Sequence, residues 1–104
     1  LHFSYAGVGD AAVKILAEVL TSNKGLTRLN LSDKSIIDEG AKYLADALER
    51  NTSSRVLNLD SSHISDAGAK CLADMLLVNT TLRTLDLQDT LIGDQGLEAL
   101  RSAA

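Results

Sequence analysis

The apolar residues of this chain follow two spacings in turn. From Leu26 (LTRLNL) and again from Ser54 (SRVLNL), leucines alternate with polar residues, giving Leu29 and Leu31, then Leu57 and Leu59. A period of two predicts a short strand with one face buried. Beyond Ile36 and Ile64 the spacing lengthens to that of a helix with one apolar stripe: Ala41, Leu44, Ala45, Leu48, and then Ala69, Leu72, Ala73, Leu76. Asp10, Asp38, Asp66 and Asp94 stand where each helix begins. A carboxylate there accepts hydrogen bonds from free N–H groups and favours the positive end of the helix dipole, so these acids are predicted N-caps. Asn23, Asn51 and Asn79 stand where each helix stops and read as left-handed terminators.

These segments are copies of one another. LTRLNLSDKSIIDEGAKYLADALERNTS and SRVLNLDSSHISDAGAKCLADMLLVNTT align without a gap at an offset of 28 residues, the spacing of Leu29, Leu57 and Leu85. One domain, 1–104, is therefore expected, built of about four units: 1–25 (partial), 26–53, 54–81 and 82–104 (partial). Neither a lone strand nor a lone helix of this kind can bury its apolar face, so the units must stack. The expected fold is α/β, a curved solenoid with parallel strands on the concave side and helices on the convex side. Since the chain opens inside a strand and closes inside a helix, it reads as a fragment of a longer solenoid whose ends stack on further repeats or on another copy.

The pattern resembles the leucine-rich repeat family, in its long, ribonuclease-inhibitor-like class. It is met at Leu26, Leu29, Leu31, Ile36, Gly40, Leu44, Leu48 and Asn51, and again at Leu57, Leu59, Ile64, Gly68, Leu72, Leu76 and Asn79. A weaker similarity to tropomodulin-like repeats lies in LHFSYAGVGDAAVKILAEVL and LLVNTTLRTLDL. The first resemblance implies a horseshoe fragment that binds proteins; the second implies an actin-associated segment. One slot departs from the family pattern: where Asn or Cys usually follows the strand, this chain has Ala6, Lys34, Ser62 and Thr90, of which Ser62 and Thr90 can make some of the turn's bonds with a hydroxyl while Ala6 and Lys34 cannot, which predicts looser turns or ordered water. Ser54, in the column of Leu26 and Leu82, is a polar interruption expected to weaken the middle unit.

If the leucines point inward, the alternate strand residues face the concavity. They form three rows: His2, Asn30, Asn58, Asp86; Arg28, Val56, Thr84; and Ser4, Ser32, Asp60, Gln88. The candidate partner-binding residues are His2, Arg28, Asn30, Ser32, Val56, Asn58, Asp60, Thr84, Asp86 and Gln88, a polar and somewhat acidic set suited to a protein partner with a basic surface. The alternative is a structural spacer with a merely solvated face. Lys14, Lys42 and Lys70, each four residues before an acid, are expected to form weak surface pairs.

Composition narrows the function. A net charge of −4, with acids outnumbering dispersed Lys and Arg, argues against nucleic acid as a partner. No apolar run reaches the roughly 20 residues of a membrane span, and the single Cys71, expected as a buried free thiol, suits a cytoplasmic setting. Asn30, Asn51 and Asn79 begin glycosylation-type triplets, a pattern common by chance. Asp60-Ser61-Ser62-His63 looks like catalytic machinery, but triad members meet in space and usually come from distant parts of a chain. The four fall instead on a strand row, a strand exit, a turn slot and a variable turn position. His2, His63 and Cys71 share no ligand spacing, and no phosphate loop occurs. A non-catalytic protein with no cofactor and no metal is expected.

Overall fold

The computed structural model describes the backbone of residues 2–4, 9–31 and 36–103, and the side chains of 13–31 and 36–103. Strand and helix alternate: β1 (His2–Ser4), α1 (Gly9–Ser22), β2 (Arg28–Asn30), α2 (Asp38–Leu48), β3 (Val56–Asn58), α3 (Asp66–Val78), β4 (Thr84–Asp86) and α4 (Asp94–Ala103). The strands form one parallel sheet in chain order, and each helix packs on the next. Leu29, Leu31, Leu57 and Leu59 point from the sheet into a core completed by Ile36, Ile64, Leu44, Leu48, Leu72 and Met75, all essentially inaccessible to solvent. The two alternating periods thus serve a single interior. Leu85, Leu87, Ile92 and Leu100 of the last unit are only partly buried.

The strand register corrects one expectation. Arg28 pairs with Val56 and Val56 with Thr84, the expected spacing, but His2 pairs with Arg28 and Phe3 with Leu29. The offset between paired residues is thus two shorter from β1 to β2 than between the later strands, so the rows that set His2 beside Asn30 and Ser4 beside Ser32 are displaced by two. Strand parity is two, so the displacement changes the neighbour without changing the face.

The recurring Asp and Asn between elements work across repeats. Asp38 is the first residue of α2, yet the residue preceding that helix, Ile37, makes no side-chain cap. Asp38 Oδ1 instead accepts from the backbone N–H of Ser65 at 2.7 Å and of Gly68 at 3.0 Å, and Oδ2 accepts from the Ser65 hydroxyl. Asp66 does the same one repeat later, accepting from Gly93 N–H at 2.6 Å and Gly96 N–H at 3.1 Å. Each aspartate therefore caps the helix of the following repeat rather than its own. The same contact explains the glycines: a Cβ on Gly68 would lie 2.5 Å from Asp38 Oδ1 and 2.7 Å from Ile64 Cγ2, and one on Gly96 would lie 2.6 Å from both Asp66 Oδ1 and Ile92 Cγ2.

At the other end of the helices, asparagine side chains form a second ladder. Asn51 Nδ2 donates to the carbonyls of Leu20 (2.9 Å) and Asn23 (3.2 Å) in the preceding repeat, while its Oδ1 accepts from Ser53 N–H and Ser54 N–H. Asn79 repeats this with Leu48, Asn51, Thr81 and Leu82. Asn79 is extended, at φ −76° and ψ 127°, so these residues are not left-handed terminators. Their amides fill the carbonyl positions that a helix end leaves open, and they do so for the neighbouring helix.

Three further expectations change. Ser54, fully buried, is bonded through its N–H to Asn51 Oδ1 and through its hydroxyl to Leu26 O at 3.4 Å, so the polar interruption is accommodated. Ser62 and Thr90 donate to Leu59 O (2.7 Å) and Leu87 O (2.9 Å), closing turns in which Ser61 and Asp89 take positive φ. Those turns are not loose; Ala6 and Lys34 lie outside the described residues. The lysine–acid pairs on the helices do not close, and the ion pair among the described residues is Arg101–Glu98 at 3.4 Å. Lys14 Nζ instead lies 5.8 Å from the centre of the Tyr43 ring.

Two stability measurements follow. Helix propensity alone would make Gly68→Ala stabilising by about 1 kcal/mol. Displacement of the Asp38 carboxylate should reverse the sign, to a loss of roughly 1–3 kcal/mol in urea unfolding, and Asp38→Ala combined with it should cost less than the sum of the two. Asn51→Asp places an acceptor against Leu20 O and Asn23 O and should cost at least about 2 kcal/mol at neutral pH. Asn23→Asp keeps that side chain's bonds from Gly25 N–H and Leu26 N–H, and should cost less than about 1 kcal/mol.

Candidate functional site

With the register fixed, the concave face carries two strand rows. His2, Arg28, Val56 and Thr84 form one; Ser4, Asn30, Asn58 and Asp86 form the other. This moves His2 and Ser4 out of the rows first assigned to them. Asp60 and Gln88 lie beyond the strand ends, where the chain turns away. Ser32 and the side chain of His2 lie outside the described residues.

The rows differ in how free their side chains are. Asn58 Oδ1 accepts from Asp60 N–H at 2.9 Å, and Asp86 Oδ1 accepts from Gln88 N–H at 3.1 Å. These bonds turn the chain at the strand exit, a local use of short polar side chains. Asn58 and Asp86 are half-buried, as are Asn30, Val56 and Asp60, whereas Arg28, Thr84 and Gln88 are exposed. The most accessible part of the concavity is thus a guanidinium, a hydroxyl and an amide beside the methyls of Val56. It is less acidic than the sequence rows suggested, because Asp60 and Asp86 are half-buried while Arg28 is exposed.

The Asp60–His63 turn does not assemble a nucleophile and base. Ser62 is buried with its hydroxyl committed to Leu59 O, and His63 is exposed, with its backbone N–H given to Ile36 O at 2.9 Å. Cys71 is partly rather than fully buried. Burial raises its thiol pKa, and the Asp74 carboxylate raises it further, against a smaller opposing effect of Lys42. A thiol held in its neutral form is a poor nucleophile. Among the described residues, no group of three His, Cys, Asp or Glu side chains is placed to hold a metal, and no helix is long and apolar enough to cross a membrane.

Among the described residues the surface is indented beside β4 and α4 and again between α1 and α2. The first depression, of about 360 Å³, opens over Leu76, Leu82, Leu85, Leu87 and Leu100, with Arg83 and Thr84 at its edge. The second, of about 180 Å³, lies on the helical side, where Ala17 and Ala47 leave a notch between Lys14, Glu18, Tyr43 and Arg50. Neither was anticipated from the sequence. The second arises where two small residues face each other, which the register of the helical stripes encodes only once the helices are placed side by side.

Comparison with known proteins agrees with this geometry. A family model described as "Leucine Rich repeat" matches residues 51–73 and 78–100. No curated protein matches the sequence. Among solved structures, "Leiomodin-1 Actin-Binding Site 2 (ABS2)" superposes with a TM-score of 0.84 at 25% identity, over 93% of this chain. The chain spans 57% of that structure's length. One strand and one helix per repeat, parallel strands in chain order and these matches together make the chain a leucine-rich repeat protein.

Proposed function

We propose that the chain is a non-catalytic protein-binding module that receives its partner along the concave strand face, in a cytoplasmic setting compatible with its free thiol. The observation that carries this is the contrast between the two faces of the sheet. Inward residues of β2 and β3 are sealed in the core, while Arg28 of β2, Thr84 of β4 and Gln88 just past β4 are presented to solvent from one hydrogen-bonded parallel sheet. A rigid row of accessible donors and acceptors costs little ordering entropy on binding, which favours association. The half-buried Asn58 and Asp86 act mainly as supports for the strand exits, and Arg28, Val56, Thr84 and Gln88 carry the contact. A partner with a basic surface would meet Asp60 and the remaining Asp86 oxygen.

A second reading, an actin-related partner, is favoured by the likeness to the leiomodin structure whose title names an actin-binding site. It agrees with the tropomodulin-like segments in the sequence.

A photo-reactive amino acid placed at Thr84, on the concave face, should capture a binding protein that the same group at Lys70, on the exposed helical face, does not. Equal or greater capture from Lys70 would overturn the concave assignment. Purified actin tests the second reading separately. Binding that is saturable below about 50 μM and lost in Thr84→Trp supports it, whereas no binding in that range removes actin and leaves the concave assignment to the cross-linking result.

A further inference from the structure

The linear sequence disperses its cations, but the fold gathers them. We propose that the rim of the sheet at which the strands begin is a docking surface for an extended acidic segment of a protein partner, a contact that adjoins the concave face at Arg28 and otherwise lies outside it. Lys24 follows α1, Arg50 follows α2, Arg28 opens β2, and Arg55 and Arg83 immediately precede β3 and β4. All five are exposed, and among the described residues none of them forms an ion pair. Arg83 N–H donates to Arg55 O at 2.7 Å, which fixes the two arginines on neighbouring strands, about 4.8 Å apart along the sheet. Glu49 is the one carboxylate between the helix ends and strand starts described. The opposite rim, where strands end and helices begin, holds Asp38, Glu39, Asp60, Asp66, Asp89 and Asp94.

Helix dipoles account for part of this polarity. Cations are favoured near helix C-termini, which suits Lys24 and Arg50. They do not account for Arg55 and Arg83, which lie beyond the last helical turns, at the start of strands, where the effect has decayed. Two adjacent, unpaired guanidiniums repel each other and remain available to carboxylates, which they can bind in bidentate fashion. An extended peptide presents alternate side chains on one face about 6.6–6.8 Å apart, a spacing that two long arginine side chains on adjacent strands can span. Nucleic acid fits less well: among the described residues the rim carries no aromatic side chain for base stacking, and a strand longer than the patch would meet the acidic remainder of a chain whose net charge is −4. That overall charge also means that attraction of an acidic peptide must be local.

The test is a titration of the ¹⁵N-labelled chain with a glutamate decapeptide at about 20 mM salt, where screening is weak, alongside an oligothymidylate of equal charge. Saturable shifts of the Lys24, Arg50, Arg55 and Arg83 amides are expected, with affinity falling at least about tenfold in Arg55→Glu/Arg83→Glu while the urea midpoint is unchanged. The milder Arg55→Gln/Arg83→Gln should fall between the two. Absence of saturable binding, shifts centred elsewhere, equal affinity in the charge-reversed variant, or tighter binding of the oligothymidylate would overturn the proposal.

Discussion

A carboxylate that leaves its own repeat to cap the next one is the constraint around which this structure is organised. Asp38 holds the N–H groups of Ser65 and Gly68, and Asp66 those of Gly93 and Gly96. For that to happen the helices must lie at a fixed height relative to one another, and the third residue of each receiving helix must have no side chain. The helix start is thereby fastened to its neighbour. At the helix end, the Asn51 and Asn79 amides do the equivalent for carbonyls. Between these two polar ladders, the leucines and isoleucines need only be apolar and of suitable volume. The ladders supply register, and the core supplies most of the free energy.

Much of this was legible in the sequence, and the reason is periodicity. The leucine columns of the second and third units, Leu29 with Leu57 and Leu31 with Leu59, predicted the buried side of the sheet, and Ile36 with Ile64 predicted the turn into the helix. The roles of Asp and Asn were legible only as positions. A residue at a helix start is most simply read as capping that helix, because local bonds are the ones a linear sequence shows. The partner of Asp38 is a glycine thirty positions away, and only stacking brings them together. The paired recurrence of Asp with Gly two residues later was the available clue: glycine near the start of a helix is costly unless something occupies the space its side chain would take.

The candidate site was legible in its face but not in its rows. Alternation placed Arg28, Val56 and Thr84 outward, yet the fixed offset carried into the first unit put His2 beside the wrong neighbours, because loop lengths vary where strands do not. Arg55 and Arg83 escaped attention for a different reason. They precede the alternating segment, belong to neither the core pattern nor the concave rows, and have Thr27 in their column. Their significance lies in what the sheet places next to them, which net charge averages away.

The cross-repeat caps also define what can be exchanged between such proteins. A strand-to-helix unit taken alone separates every carboxylate from the glycine shaped to receive it, so its boundaries cut through the interaction that orders the stack. The block that carries a complete joint runs from Asp38 to Gly68, spanning the end of one repeat and the beginning of another. Duplication or grafting that respects this overlapping block preserves the joint, whereas a cut at the visible repeat boundary requires both new neighbours to keep the same aspartate–glycine grammar.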